Sequence, residues 1–176
     1  MMTRALLVLG LVWAAAEGQR ASDDPPRFED FPAIETWNGS HAVLSLITPA
    51  ERMFRTQLTN ASKELPDFAG RYRFAKWGCG SSCAAGAIID LQTGKVHSPP
   101  LGGKGNDTDR WIFCGGIVEG SYAEYRRTSR LMIVRCQDGV NETGIHYLVW
   151  ENQRFREILH STQRNSTALK VEPAAC

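Results

Sequence analysis

The sequence predicts an α+β fold that is mainly β: an antiparallel meander sheet or open barrel with one N-terminal capped helix. Three observations carry this reading. From Gly70 onward, short apolar or alternating runs recur between clusters of Gly, Pro, Asn and Asp, the pattern of strands joined by tight turns. Thr48-Pro49-Ala50-Glu51 is a helix start: Thr48 can accept from the Glu51 N–H, Glu51 can reach back to Thr48, and Pro49 sacrifices no hydrogen bond. Long helices do not alternate with strands, and neither G-x-G-x-x-G nor a P-loop occurs. A nucleotide-binding parallel sheet is therefore not expected.

Taken in order, residues 1–18 read as a signal peptide. Arg4 supplies the positive charge, and the apolar run Ala5–Ala16 is about a dozen residues, too short to span a bilayer. Cleavage is expected after Ala16 or after Gly18. About 158 residues then remain, enough for one domain with its own core. Residues 19–40 are polar and carry Pro25, Pro26 and Pro32, which reads as a flexible lead-in. Residues 41–160 form the single β-rich domain, and residues 161–176 a frayed C-terminal tail.

Within the domain, Ala42–Ile47 reads as a short strand. A helix then runs from Thr48 to about Ser62, with Phe54, Leu58 and Ala61 on one face. Tyr72 and Phe74 alternate with Arg71 and Arg73 in the next strand. Ala84–Leu91 is a compact apolar strand closed by the turn Asp90–Lys95, and Lys95–Ser98 is its short return. Pro99–Asp109 is a loop. Trp111–Val118, Tyr122–Arg126, Arg130–Cys136, Ile145–Trp150 and Arg154–Leu159 follow as strands, with Asp138–Gly144 as a turn-rich loop and Glu151–Gln153 as a hairpin turn.

The chemistry-bearing segment is Trp77-Gly78-Cys79-Gly80-Ser81-Ser82-Cys83. A thioredoxin-like redox centre needs C-x-x-C at a helix start. Here the spacing is C-x-x-x-C and a strand follows. Zinc needs about four ligands, yet Cys114 and Cys136 stand apart, and His41, His97, His146 and His160 lack helical metal spacing. A G-x-S-x-G elbow fails because Ala84 replaces the second glycine. The segment thus reads as a structural disulfide, Cys79 with Cys83, locking a tight turn. No catalytic residue, cofactor or metal ligand is nominated. Cys114 and Cys136 lie in strands that can neighbour each other and form the best second pair. With five cysteines, Cys176 is left as the unpaired thiol.

Phe68-Ala69-Gly70-Arg71-Tyr72, the 77–83 segment and Asp90-Leu91-Gln92-Thr93-Gly94-Lys95-Val96 together resemble a pattern found in uncharacterised bacterial exported proteins: F-A-G-x-Y, W-G-C-G-x-x-C, D-x-x-T-G-K-V. Cys114 and Cys136 stand outside that pattern. The resemblance implies a periplasmic or secreted domain and no established activity. Against a bacterial source, five of the six asparagines (Asn38, Asn60, Asn106, Asn141 and Asn165) sit in N-x-[ST] sequons. In a eukaryotic secreted protein these would accept glycans; given the resemblance, they read instead as turn residues, since Asn, Ser and Thr all favour turns.

A net charge of +1 with mixed signs excludes the basic stripe of a nucleic-acid binder. The densest basic spot, Arg126-Arg127 with Arg130 and Arg135, reads as the wet face of strands. The function expected is an exported, non-enzymatic binding or inhibitor-like module without a membrane span. Trp77 would be its aromatic anchor, and Ser81 and Ser82 its hydrogen-bonding groups, toward an exported protein or small ligand. Two alternatives stand beside it. One is a hydrolase-like enzyme gathering a polar site from His97, Asp107, Asp109 and His146. The other is a structural envelope component. The chain would be a monomer or a dimer linked through Cys176.

Overall fold

A computed structural model describes residues 24–80, 83–103, 109–116, 122–139 and 142–164. Two antiparallel sheets and two short helices make up the fold. The first sheet has three strands, β1 (Tyr72–Gly80), β2 (Cys83–Asp90) and β3 (Val96–His97), in the order β1-β2-β3. The second has four, β4 (Tyr122–Tyr125), β5 (Leu131–Gly139), β6 (Glu142–Glu151) and β7 (Arg154–Arg164), in sequence order. Within each sheet every strand pairs with its chain neighbour, so both sheets are meanders, and no barrel closes among the described residues.

Alternation along β1 and β2 explains why the first sheet is buried on both faces. Phe74 lies opposite Ile88, and both enter a core shared with Met132, Val134 and Leu148 of the second sheet. Ala75 lies opposite Ala87, and these enter a second core with Ala50 and Leu58 of the helices. The layers are therefore helices, three-stranded sheet, four-stranded sheet. A strand covered on both sides has no use for polar alternation, which accounts for the unbroken apolar run Ala84–Ile89.

The helix start at Thr48 is formed as the residues dictate. Thr48 Oγ1 accepts from the Glu51 N–H at 3.1 Å, and Glu51 Oε2 accepts from the Thr48 N–H at 2.9 Å. The single helix expected over 48–62 is broken at Phe54, giving α1 (Pro49–Met53) and α2 (Arg55–Ala61). Phe54 turns inward, with its ring 5.1 Å from that of Trp77.

Other differences have tertiary causes. Ala42–Ile47 is not a strand. It runs as extended chain bonded to turns, from Ala42 N to Leu91 O and from Ser45 N to Gly94 O, both 2.9 Å. In place of the strand expected from Trp111 are two 3-10 turns, Asp109–Trp111 and Phe113–Gly116. They lie against β2, where Ile112 bridges Ala85, and Cys114 is bonded there to Cys136. The loop expected at 138–144 is largely strand, with Gly139 paired to Glu142.

Residues 24–47 are tied down along their length. Ala33 donates to Thr128 O at 2.8 Å and Trp37 to Gly70 O at 3.1 Å. The arginines before β5, read from sequence as a wet strand face, hold this segment. Arg126 pairs with Glu29 at 2.8 Å, Arg127 donates to Trp37 O at 2.8 Å, and Arg130 donates to Pro32 O at 3.0 Å. No helix among the described residues is long and apolar enough to cross a membrane.

Candidate functional site

Where the N-terminal segment crosses the rim between the sheets, it walls a cavity of about 280 Å³. Ile34 and Glu35 of that segment line it together with Ala69, Arg71 and Tyr72, with Arg130 and Trp150, and with the β6–β7 turn, residues 151–153.

Its walls are built from unusual backbone. Five non-glycine residues among those described have positive φ, and three of them, Ala69 (43°), Asn152 (50°) and Gln153 (62°), line this cavity. Asn152 and Gln153 are the two central residues of a tight hairpin turn, which needs left-handed angles at both positions. Ala69 is held by Ser129 O, to which its N–H donates at 3.2 Å, while Gly70 donates to Arg127 O at 2.6 Å. Such angles persist only where surrounding structure enforces them, and they gather at ligand clamps.

Most of the charges around the cavity are joined in ion pairs. Arg71 lies at the centre of a network: Nη1 donates to Gln92 at 2.7 Å and to Glu35, while Nη2 donates to the Tyr72 hydroxyl at 3.1 Å and pairs with Asp90 at 3.2 Å. Asp90 is 1% exposed and also accepts from the Gln92 and Thr93 N–H groups. Glu151 is paired with Arg156, which holds its carboxyl below the usual range. Each wall carboxylate thus has its own arginine. Arg130 forms no direct ion pair among the described residues; its guanidinium donates to Pro32 O, and its charge acts at longer range on Glu151. Behind the wall, the Trp150 ring meets Tyr72 at 5.2 Å and His97 at 5.5 Å. Burial holds the His97 imidazole below its ordinary value of 6.5.

The residues nominated from sequence fall elsewhere. Cys79 and Cys83 are disulfide-bonded across the tip of the β1–β2 hairpin, with Cα atoms 5.1 Å apart, and Cys114 and Cys136 are bonded with Cα atoms 5.5 Å apart. Trp77 is half-buried, packed on Phe54 and the second core. That position gives the indole a packing role whatever else it does. Ser81, Ser82 and Cys176 lie outside the described residues, as do Asn106, Asn141 and Asn165. Asn38 and Asn60 are exposed. Of the residues proposed for an enzyme, Asp107 lies outside the described residues, and Asp109 opens a 3-10 turn. His97 meets Tyr72 and Trp150, whereas His146 meets Glu157 and His160.

A second polar group, around Asp67, is the nearest approach to acid–base chemistry. Burial raises the carboxyl of Asp67, and burial also raises the Tyr125 hydroxyl beside it. Both carboxylate oxygens are occupied, however: Oδ1 accepts from the Phe74 N–H at 2.9 Å and Oδ2 pairs with Arg73 at 2.8 Å. The arrangement closes the 67–72 turn onto β1 and leaves neither oxygen aimed at a substrate.

Sequence reasoning passed over Arg71 and Arg130 as surface cations. A faint signal existed, because Arg71 sits inside the F-A-G-x-Y string and Arg130 adjoins an apolar strand. Nothing local shows that they meet at one cavity. No family model, no curated protein and no solved structure matches this chain.

Proposed function

We propose that the chain is an exported, non-enzymatic binding module, and that the cavity at Arg71 and Arg130 is its ligand seat. The leader-like N-terminus, the two disulfides and the resemblance to bacterial exported proteins support export. The observation that carries the binding reading is the convergence of three enforced left-handed residues, Ala69, Asn152 and Gln153, on one concave site. Preformed walls lose little entropy when a ligand enters.

The chemistry of the walls selects the ligand class. Arg130 contributes a guanidinium outside the direct ion pairs, Tyr72 and Trp150 supply aromatic lining, and the turn at Asn152–Gln153 supplies amide groups. The match is a small molecule or peptide end with one carboxylate and an apolar body. A guanidinium–carboxylate contact is directional and charge-assisted.

The test is amide-resolved NMR titration with N-acetylphenylalanine, using N-acetylphenylalanine amide as the uncharged control. The acid is expected to move resonances of residues 69–72 and 150–153, the amide to move them far less, and Arg130→Ala to remove the response. Equal responses to acid and amide, or an unchanged response in Arg130→Ala, would refute the assignment.

A further inference from the structure

The outer strand of the four-stranded sheet carries a separate cluster, at His146, Glu157 and His160. His146 and His160 stand directly opposite each other in the β6–β7 register. Glu157 would face away from His160 in a regular strand, since the two are three positions apart. The pairing jumps here: Tyr147 opposes Leu159 while Leu148 opposes Glu157, leaving Ile158 as an extra residue. This bulge reverses the alternation and returns Glu157 to the face of His146 and His160, the kind of re-aiming that bulges provide.

The three side chains are close enough to act together. His146 Nδ1 lies 2.7 Å from Glu157 Oε1. The two imidazoles stack with centroids 4.3 Å apart. One potential ligand atom from each residue falls within 4.8 Å of the others. His146 is buried, whereas Glu157 and His160 are exposed on β7 at the edge of the sheet.

We propose that His146, Glu157 and His160 form a zinc-binding site. Two imidazoles and one carboxylate are a donor set that zinc accepts with further positions left to water, and the exposed side of β7 leaves room for it. Ligand atoms on one zinc lie about 3.3 Å apart, so the set closes by about 1.5 Å at most. A metal must lie in the plane of each ring that binds it, so the stacked rings tilt apart on binding. Rotation about the second side-chain torsion of histidine is soft, and His160 is exposed. Zinc takes the place of the proton between His146 Nδ1 and Glu157 Oε1, which leaves to solvent.

The experiment uses tag-free protein in a Cys176→Ser background, so that the terminal thiol does not compete. Zinc alone is titrated against a chromophoric chelator, and the histidine ring resonances are followed by NMR. One zinc per chain is expected, with the rings of His146 and His160 shifting and those of His41 and His97 unmoved. Glu157→Gln and His160→Gln, both at exposed positions, should weaken binding about tenfold or more, whereas His41→Gln should not. The proposal is overturned if the protein takes no zinc from the chelator. It is equally overturned if Glu157→Gln and His160→Gln bind as tightly as the parent, for which thermal melts confirm folding; the cluster is then only an ion pair beside stacked rings.

Discussion

Gly70 and Gly94 show how single residues dock the N-terminal segment. Both have positive φ, at 84° and 75°. A Cβ on Gly70 would lie 1.6 Å from Glu35 O, and one on Gly94 would lie 2.0 Å from Val43 O. Both glycines let the N-terminal segment lie directly on the turns, and Gly70 thereby places Glu35 at the cavity. Gly70→Ala should destabilise the fold by about 2 kcal/mol or more and blunt ligand-induced shifts at residues 69–72. A urea midpoint equal to that of the parent would contradict this account. His97 offers a second prediction. Its folded value is depressed, so the unfolded chain binds the proton more readily in the window below 6.5. Stability from the neutral ring is complete above that window and is lost as pH falls through the depressed folded value. The urea midpoint of His97→Gln should therefore change less than the parent's between about pH 7.5 and about pH 5.

At the scale of elements, local chemistry sufficed wherever the decisive partner was a few residues away. The Thr48–Glu51 cap and the Asp90–Gly94 turn were readable because each closes its own hydrogen bonds. Thr48→Ala should cost about 1 kcal/mol, measured by chemical denaturation; no loss would mean that α1 is held by packing alone. Phe54 and Trp111 broke the expected pattern for the opposite reason. Their rings meet at 6.3 Å, and burying them stabilised a helix break and a 3-10 turn over the regular elements that their neighbours favour. The bulge in β7 belongs here too: strict alternation would place Phe155, Glu157 and Leu159 together, whereas the pairing groups Glu157 with His160.

For the whole molecule, the two disulfides join different levels of organisation. Cys79–Cys83 closes a separation of 4 residues within one hairpin, and Cys114–Cys136 closes 22 and ties the 3-10 turns to the second sheet. Chain entropy predicts losses of about 2 kcal/mol and about 3 kcal/mol on replacing each pair by serine. Comparing urea midpoints of the two double variants checks the order, and a larger loss for the short loop would reverse it. The mainly β class, the hairpin staple, the capped helix start and the turn at Asp90–Gly94 followed from the sequence alone, because periodicity, caps and turn residues act over a few positions. The layering of two sheets, the docking of residues 24–47, the cavity at Arg71 and Arg130, and the grouping of His146 with Glu157 and His160 were decided only by tertiary structure. Contacts such as Arg126 with Glu29 or Arg130 with Pro32 join residues 97 and 98 positions apart, and which distant groups meet depends on how the sheets stack and where a strand bulges. No local pattern encodes that choice.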